Sequence, residues 1–367
     1  MENRHDHLTK EKSLDTALEQ SVILELSRYV EERVMNLGFT ELYTLAGDAE
    51  ALPENPRERL TKLYEFSRGG WNDRGERGIS RQEADTIAAL EAQKHAQEDT
   101  EEEKSMRQRR EELILEAGSK IGFMEATYPQ PDLDVGVVLG GANMSNKDRL
   151  AWLLENASPE IAVMTCSGRK LSDAERKNVA AFAPDATTEY ELGVASAMAY
   201  FAEQEAKAGY QSNDHRIARK LGETELPQEN GDVWQATQIR YWDERIGDYR
   251  DLLVAGSSEV IHDANGAPYK PDTYSNLEWL VKGMDLRPGM RVGVSTTEIF
   301  VPEQDVAAKA VLGSRGIDVT TFGYDAAYSG ATRTGAQIQR GASVTLERLY
   351  FLQTQLDTLR MDETGTV

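Results

Sequence analysis

Asp134-Val-Gly-Val-Val-Leu139-Gly140-Gly141-Ala142-Asn143 is the stretch whose reading decides the fold. A short, mostly β-branched run ends abruptly in glycine and small polar residues. Such a run suits a strand buried on both faces, and the break suits a tight turn into a helix. Moving outward, the same pattern returns three times. Ile161-Ala-Val-Met164 breaks into Thr165-Cys166-Ser167-Gly168. Arg291-Val-Gly-Val294 breaks into Ser295-Thr296-Thr297, and Ile317-Asp-Val-Thr-Thr-Phe322 into Gly323-Tyr324-Asp325. Repeated strands of this kind, alternating with helices, predict an α/β domain with a mainly parallel sheet. In such sheets the ligand sits beyond the carboxyl ends of the strands, where these small residues lie.

The helix signals agree. Ser145-Asn-Lys-Asp148 precedes an apolar run, and Ser172-Asp-Ala-Glu175 and Thr188-Glu-Tyr-Glu191 read as capping boxes. Pro302 suits a first helical turn, and Gly316 suits a helix terminus. A polar connection over about residues 205–250 carries Trp234, Tyr241, Trp242 and Tyr249, which predict an inserted aromatic helix packed on the domain. Residues 326–342 are rich in Gly, Ser, Thr and Ala and predict a loop. A last helix carries Leu349, Leu352, Leu356 and Leu359, and could dock on the N-terminal helices or on a second copy.

Before the first strand the chain reads as helical. Leu18, Val22, Leu26, Val30 and Val34 recur at helical spacing. Ser80-Arg-Gln-Glu83 is a further capping box, opening a very charged stretch. Gly118, Pro129 and Pro131 mark the boundary with the α/β part. The expected organisation is a helical, acidic N-terminal region over 1–128, an α/β domain over 129–342, and a C-terminal helix and tail over 343–367.

Composition excludes several function classes. The 367 residues predict two or three domains. A net charge of −22 argues against a nucleic-acid surface, which needs a basic stripe, and against anionic membrane surfaces. No stretch approaches the about 18 uninterrupted apolar residues of a membrane span. Met1-Glu-Asn-Arg-His-Asp-His-Leu has no apolar signal region, so a cytoplasmic location is expected. The single cysteine, Cys166, excludes an internal disulfide and a multi-cysteine metal site. With no histidine partner evident, it reads as an inert strand-end thiol.

Candidate chemistry follows from the strand ends. Gly140, Gly141 and Asn143 would offer backbone and amide donors to an anion. Ser167, Arg169, Thr273, Asn276 and Thr296 would complete a polar lining. Glu189, Asp263, Asp272 and Glu298 could gather carboxylates for acid–base work or Mg²⁺, with Glu189 or Glu298 orienting a hydroxyl or acting as a base. His262 is the one histidine near a strand end.

Taken in order, these pieces resemble the YdcF/SanA-like family of bacterial domains, over about residues 134–325. The resemblance rests on Leu139-Gly140-Gly141 with Arg149, on Ser167-Gly168, on Thr188-Glu189, on Thr273-x-x-Asn276, and on Ser295-Thr296-Thr297 with Gln304. It implies a three-layer, Rossmann-like domain whose pocket takes a nucleotide-like or adenosyl molecule such as S-adenosylmethionine. It also implies that Arg149, Gly168, Ser295 and Gln304 belong to that pocket. Relatives commonly carry a His and then an Arg after the fourth motif, where this chain reads Glu298-Ile-Phe-Val-Pro-Glu-Gln304.

The leading expectation is therefore a bacterial protein that binds a small nucleotide-like molecule at its strand ends. One alternative is a hydrolase or transferase acting on a phosphorylated or nucleotidyl substrate. Another is a non-catalytic interaction protein working through its acidic helices. A homodimer through the helical regions accompanies any of these.

Overall fold

The computed structural model describes residues 20–46, 51–70, 94, 99–141, 145–208, 218–228, 232–262, 266–330 and 332–364. Ser80 and its capping box lie outside them. In chain order the helices are α1 (20–34), α2 (Leu37–Leu45), α3 (Pro56–Gly70), α4 (Glu101–Ile121), α5 (Ser145–Asn156), α6 (Asp173–Val179), α7 (Glu189–Lys207), α8 (Thr273–Gly283), α9 (Val301–Val311) and α10 (Gly335–Thr364). The strands are β1 (Val135–Leu139), β2 (Ile161–Cys166), β3 (Ala218–Pro227), β4 (Val233–Asp243), β5 (Asp248–Gly256), β6 (Ile261–His262), β7 (Pro268–Tyr269), β8 (Arg291–Thr297) and β9 (Asp318–Tyr324).

These elements form two compact units. A helical unit takes the residues up to Glu125 together with Glu298–Gly316 and Asp325–Val367. An α/β unit takes Ala126–Thr297 and Ile317–Tyr324. The units thus interleave along the chain, whereas the sequence reading set boundaries at 128 and 342. In the helical unit, Leu26, Val30 and Val34 of α1 pack with Phe39, Leu42, Leu60, Leu63 and Ile114. Leu349, Leu352 and Leu356 of α10 are buried in the same core, so this face docks within the unit. Among the described residues, no helix is long and apolar enough to cross a membrane.

The α/β unit is built on a seven-stranded, mostly parallel sheet of order β3-β4-β5-β2-β1-β8-β9. β5, β2, β1, β8 and β9 run parallel, while β3 and β4 are antiparallel additions at one edge. Every residue of β1 is buried, as expected of a strand covered on both faces. One sheet face presents Val138, Met164, Cys166, Val254, Phe322 and Tyr324 to Leu150 and Leu153 of α5 and to Ala197 and Phe201 of α7. Glycines allow the close fit: a Cβ on Gly136 would meet Leu153 at 2.9 Å, and one on Gly193 would meet Cys166 Sγ at 2.5 Å. On the other face, Trp279 of α8 stacks on Trp234 of β4, with ring centroids 4.4 Å apart.

Two sequence expectations are corrected. The aromatic insertion is not a helix, because Trp234, Tyr241, Trp242 and Tyr249 lie on β4 and β5. Trp234 and Tyr241, seven residues apart, would share one side of a helix. On the pleated strand an odd spacing puts them on opposite faces, and both are buried. The loop expected over 326–342 ends early, because α10 begins at Gly335. Thr334 and Gln337 form the capping pair that starts it, with Thr334 N–H donating to Gln337 Oε1 at 3.1 Å and Gln337 N–H to Thr334 Oγ1 at 3.3 Å.

Candidate functional site

Counted among the parallel strands alone, the order is third, second, first, fourth, fifth, so the winding reverses between β1 and β8. In open α/β sheets such a reversal is ordinarily the place of a ligand crevice, outside the carboxyl ends of the strands. Leu139-Gly140-Gly141 and Ser295-Thr296-Thr297 border that point.

The two glycines have different jobs. Gly140 donates its N–H to the Thr165 carbonyl at 2.7 Å. A Cβ there would lie 2.5 Å from Thr165 O and 2.7 Å from Cys166 Sγ, so close strand packing demands glycine. Gly141 donates to Asn146 Oδ1 at 2.8 Å, and Asn146 Nδ2 returns a bond to Gly141 O at 2.8 Å. The backbone donors expected to hold an anion are thus both used within the protein. Around Gly141 there is space: an added Cβ would meet nothing closer than Arg149 Nη1 at 3.7 Å. Asn143 lies outside the described residues.

Arg149 is the centre of this edge. It sits in the first half of α5 with only 4% of its surface exposed. Its Nε donates to Thr297 Oγ1 at 3.2 Å, and Nη1 donates to the Leu139 carbonyl. Ser295 Oγ donates to the Arg149 carbonyl at 2.8 Å, and the Thr297 hydroxyl donates to Tyr324 OH at 3.1 Å. One buried guanidinium therefore ties α5 to the ends of β1, β8 and, through Tyr324, β9. Burying a charge requires such bonds, and it leaves a fixed positive potential at the crevice.

A second cluster closes the end of β2. Ser167 Oγ donates to Glu189 Oε2, and Arg169 Nε donates to Glu189 Oε1 at 2.9 Å. The same guanidinium grips Glu175 through Nη1 and Nη2, at 3.2 and 2.9 Å. Arg169 is therefore engaged by two carboxylates, and an anionic ligand would have to displace one of them. Burial acts to raise the Glu175 carboxyl, but Arg169 and the Ser172 N–H outweigh it and hold it below the ordinary glutamate range. Gly168 packs where a Cβ would strike Ser257 O at 2.3 Å.

Polar groups without hydrogen-bond partners mark the opposite sheet face. Asp272 caps α8 by accepting from Ser275 N at 2.9 Å, which leaves Thr273 and Asn276 free of capping. Asn276 Oδ1, Trp279 Nε1, Thr296 Oγ1 and Thr165 Oγ1 are buried with no partner among the described residues. Thr165 pairs in register with Leu139 and Ala255, and Ala255 with Ala236, two residues from Trp234. Thr165 therefore faces the same side as the Trp234–Trp279 stack. Thr296 follows Ser295, the partner of Val138, and so lies two strands from Thr165, about 10 Å away. Buried hydroxyls and amides are ordinarily satisfied, so these orphans suit a ligand or ordered water.

Among the described residues, no group of three or more His, Cys, Asp or Glu side chains could hold a metal ion. Glu189 is held by Arg169, Asp272 caps a helix, and Asp263 lies outside the described residues. Glu298 and Gln304 belong to the helical unit, where Glu298 pairs with Arg333 and burial raises its carboxyl. Cys166 is buried and its thiol is pushed up by that burial, which disfavours the thiolate. Sequence reasoning quoted Thr297 within the Ser295-Thr296-Thr297 strand end but gave it no site role of its own, and it gave none to Asn146 or Tyr324; their importance comes from what Arg149 and Gly141 bond. It also missed Asp232, which accepts from the His262 backbone at 2.9 Å and bonds its ring Nδ1 at 2.8 Å.

A cavity of about 610 Å³ lies elsewhere, walled by Tyr200, Phe201, Tyr241 and Trp242 beside the β4–β5 turn. It stands at the amino-terminal end of β5, away from the crevice. Of its two lining cations, Arg245 is committed to Asp243 and to the Ala157 carbonyl, and Lys207 stands beside it. No family model matches this chain, and neither a curated protein nor a solved structure matches it.

Proposed function

We propose that the α/β unit is a three-layer, Rossmann-like domain of the YdcF/SanA kind. It binds a small anionic, nucleotide-like or adenosyl molecule at the carboxyl ends of β1 and β8. The observation that carries this reading is Arg149, a buried guanidinium beside the open face of Gly141 at the point where the winding reverses. Arg149 supplies the charge, Ser295 and Thr297 hold it in place, and Asn146 shapes the loop. Thr165, Thr296 and Asn276 supply polar atoms that still need partners. S-adenosylmethionine and adenine nucleotides, with and without Mg²⁺, are the first compounds to test.

The test is a thermal-shift screen with those compounds on the wild type and on Gly141→Asp. Saturation at about a hundred times Kd adds roughly 2.7 kcal/mol to stability. The variant places a carboxylate beside Arg149 without a backbone clash, so it should keep its fold and lose the shift. No shift with any of these compounds would reject the reading.

A hydrolase or transferase activity at the same edge is favoured by one observation, the Ser167 hydroxyl donating to Glu189. In that reading Glu189 accepts the Ser167 proton as the Ser167 oxygen bonds to the phosphorus of a phosphate ester or nucleotide. The P–O bond to the alcohol or pyrophosphate breaks and that group leaves, and water or an acceptor hydroxyl then displaces Ser167 from phosphorus. Turnover of a nucleotide or aryl phosphate that is lost in both Ser167→Ala and Glu189→Gln would support it. Binding without turnover would leave the ligand-binding reading alone.

A further inference from the structure

We infer that β3 is an interface strand, and that it pairs antiparallel with β3 of a second copy across a two-fold axis. Among the described residues β3 stands at the end of the sheet, paired on one side with β4. Side chains on a strand alternate between faces, yet from Arg219 to Glu225 both faces of β3 are exposed. Ten residues thus hold strand conformation with little burial beyond Ala218. Such a strand gains little from the hydrophobic effect and leaves a row of main-chain groups open to pairing. Leu221 and Val233, two apolar residues of this hairpin, are 40% and 37% exposed.

The charge order selects the partner. Arg219 and Lys220 occupy the first half of β3, and Glu223 and Glu225 the second. In an antiparallel pair related by a two-fold, the first half of one strand faces the second half of the other. Centring the axis on Gly222 puts Arg219 opposite Glu225. Shifting the register by one residue either way puts Lys220 opposite Glu223 or Glu225. Each of these registers therefore joins unlike charges, twice by symmetry. Charges and bulges on edge strands commonly serve to prevent pairing, and β3 has a register shift between Lys220 and Gly222. Charges of one sign along the strand would repel a second copy, whereas these are sorted by sign between its two halves, so the strand is complementary to itself.

The experiment is light scattering and sedimentation on the full chain at micromolar to tens-of-micromolar concentration. The wild type should be a dimer that weakens as salt rises. Arg219→Glu with Lys220→Glu, and separately Glu223→Lys with Glu225→Lys, should each weaken the dimer about tenfold or more through like-charge opposition. Mixing the two double variants should restore a one-to-one heterodimer, because an all-acidic strand then meets an all-basic one. Restoration separates the interface from a folding defect, and circular dichroism on each variant checks the fold directly. A monomeric wild type, a dimer insensitive to both double variants, or a mixture that stays monomeric would each overturn the inference.

Discussion

The Nε of Arg149, on α5, donates to the hydroxyl of Thr297, at the end of β8, across 3.2 Å. This bond joins residues 148 positions apart and bridges the point where the sheet reverses its winding. Because the guanidinium also donates to the Leu139 carbonyl, a point charge cannot replace it. Arg149→Lys should destabilise the α/β unit by about 2–3 kcal/mol, since a buried carbonyl or hydroxyl loses its donor. Thr297→Val keeps the shape but removes two bonds, those with Arg149 Nε and with Tyr324 OH, so it should cost about 1–3 kcal/mol. Urea unfolding of both variants measures the two costs, and a cost near zero for either would show that these bonds do not hold the strand ends together.

The neighbouring glycines should respond in opposite ways to the same substitution. Gly140→Ala forces a methyl to within 2.5 Å of the Thr165 carbonyl and should cost about 2–4 kcal/mol. Gly141→Ala meets nothing within 3.7 Å and should stay within about 0.5 kcal/mol of wild type. Thermal unfolding of the pair is the check. A mild Gly140→Ala would mean that β1 and β2 can separate at their ends.

The Glu175–Arg169 pair should make stability depend on pH. The folded carboxyl is held below the ordinary glutamate value of 4.5. Its contribution is therefore present above that value and is lost as pH falls through the folded value. Glu175→Gln should cost about 1–2 kcal/mol at pH 7, as expected for a charged hydrogen bond at a partly exposed site. Its deficit should shrink below pH 4.5. Denaturant titrations at pH 7 and at lower pH test this, and a deficit independent of pH would assign the cost to packing.

Trp234 and Trp279 stack at 4.4 Å with planes 10° apart, and both are buried. A double-mutant cycle to Leu should show coupling of about 0.5–1.5 kcal/mol, the excess of a ring pair over its area. Additive single effects would mean that α8 is held to the sheet by other contacts.

Cys166 should be unreactive in the native protein. Its sulfur is buried, and Gly140 and Gly193 close over it. A thiol reagent should label it only on unfolding, at the rate of global opening. Rapid native labelling would show that the end of β2 opens locally.

Much of this architecture was legible in the chain. The parallel strands β1, β2, β8 and β9 announced themselves because a strand buried on both faces reads as a near-continuous apolar run; β5, parallel to them but exposed over its first residues, did not. The capping boxes at Ser172 and Thr188 formed as read, because each is a local exchange of hydrogen bonds. Trp234 and Tyr241 misled because seven residues suit two helical turns, while the hairpin that governs them depends on β4 lying beside β5. Arg149 was legible as a family-like position, but its partners were not. Leu139 is 10 residues away, Thr297 is 148, and only folding brings them to one guanidinium.

By itself the sequence determined the elements whose hydrogen bonds and burial patterns are local: the strands β1, β2, β8 and β9, their glycine-bounded ends, and the capped helices between them. Only the tertiary structure decided what those ends do. It engaged Arg169 with two glutamates, spent the Gly140 and Gly141 donors inside the fold, and placed Glu298 and Gln304 in the helical unit. The reason is physical. A side chain's partners are set by distances that depend on strand order and register, and local chain energetics carries no information about either.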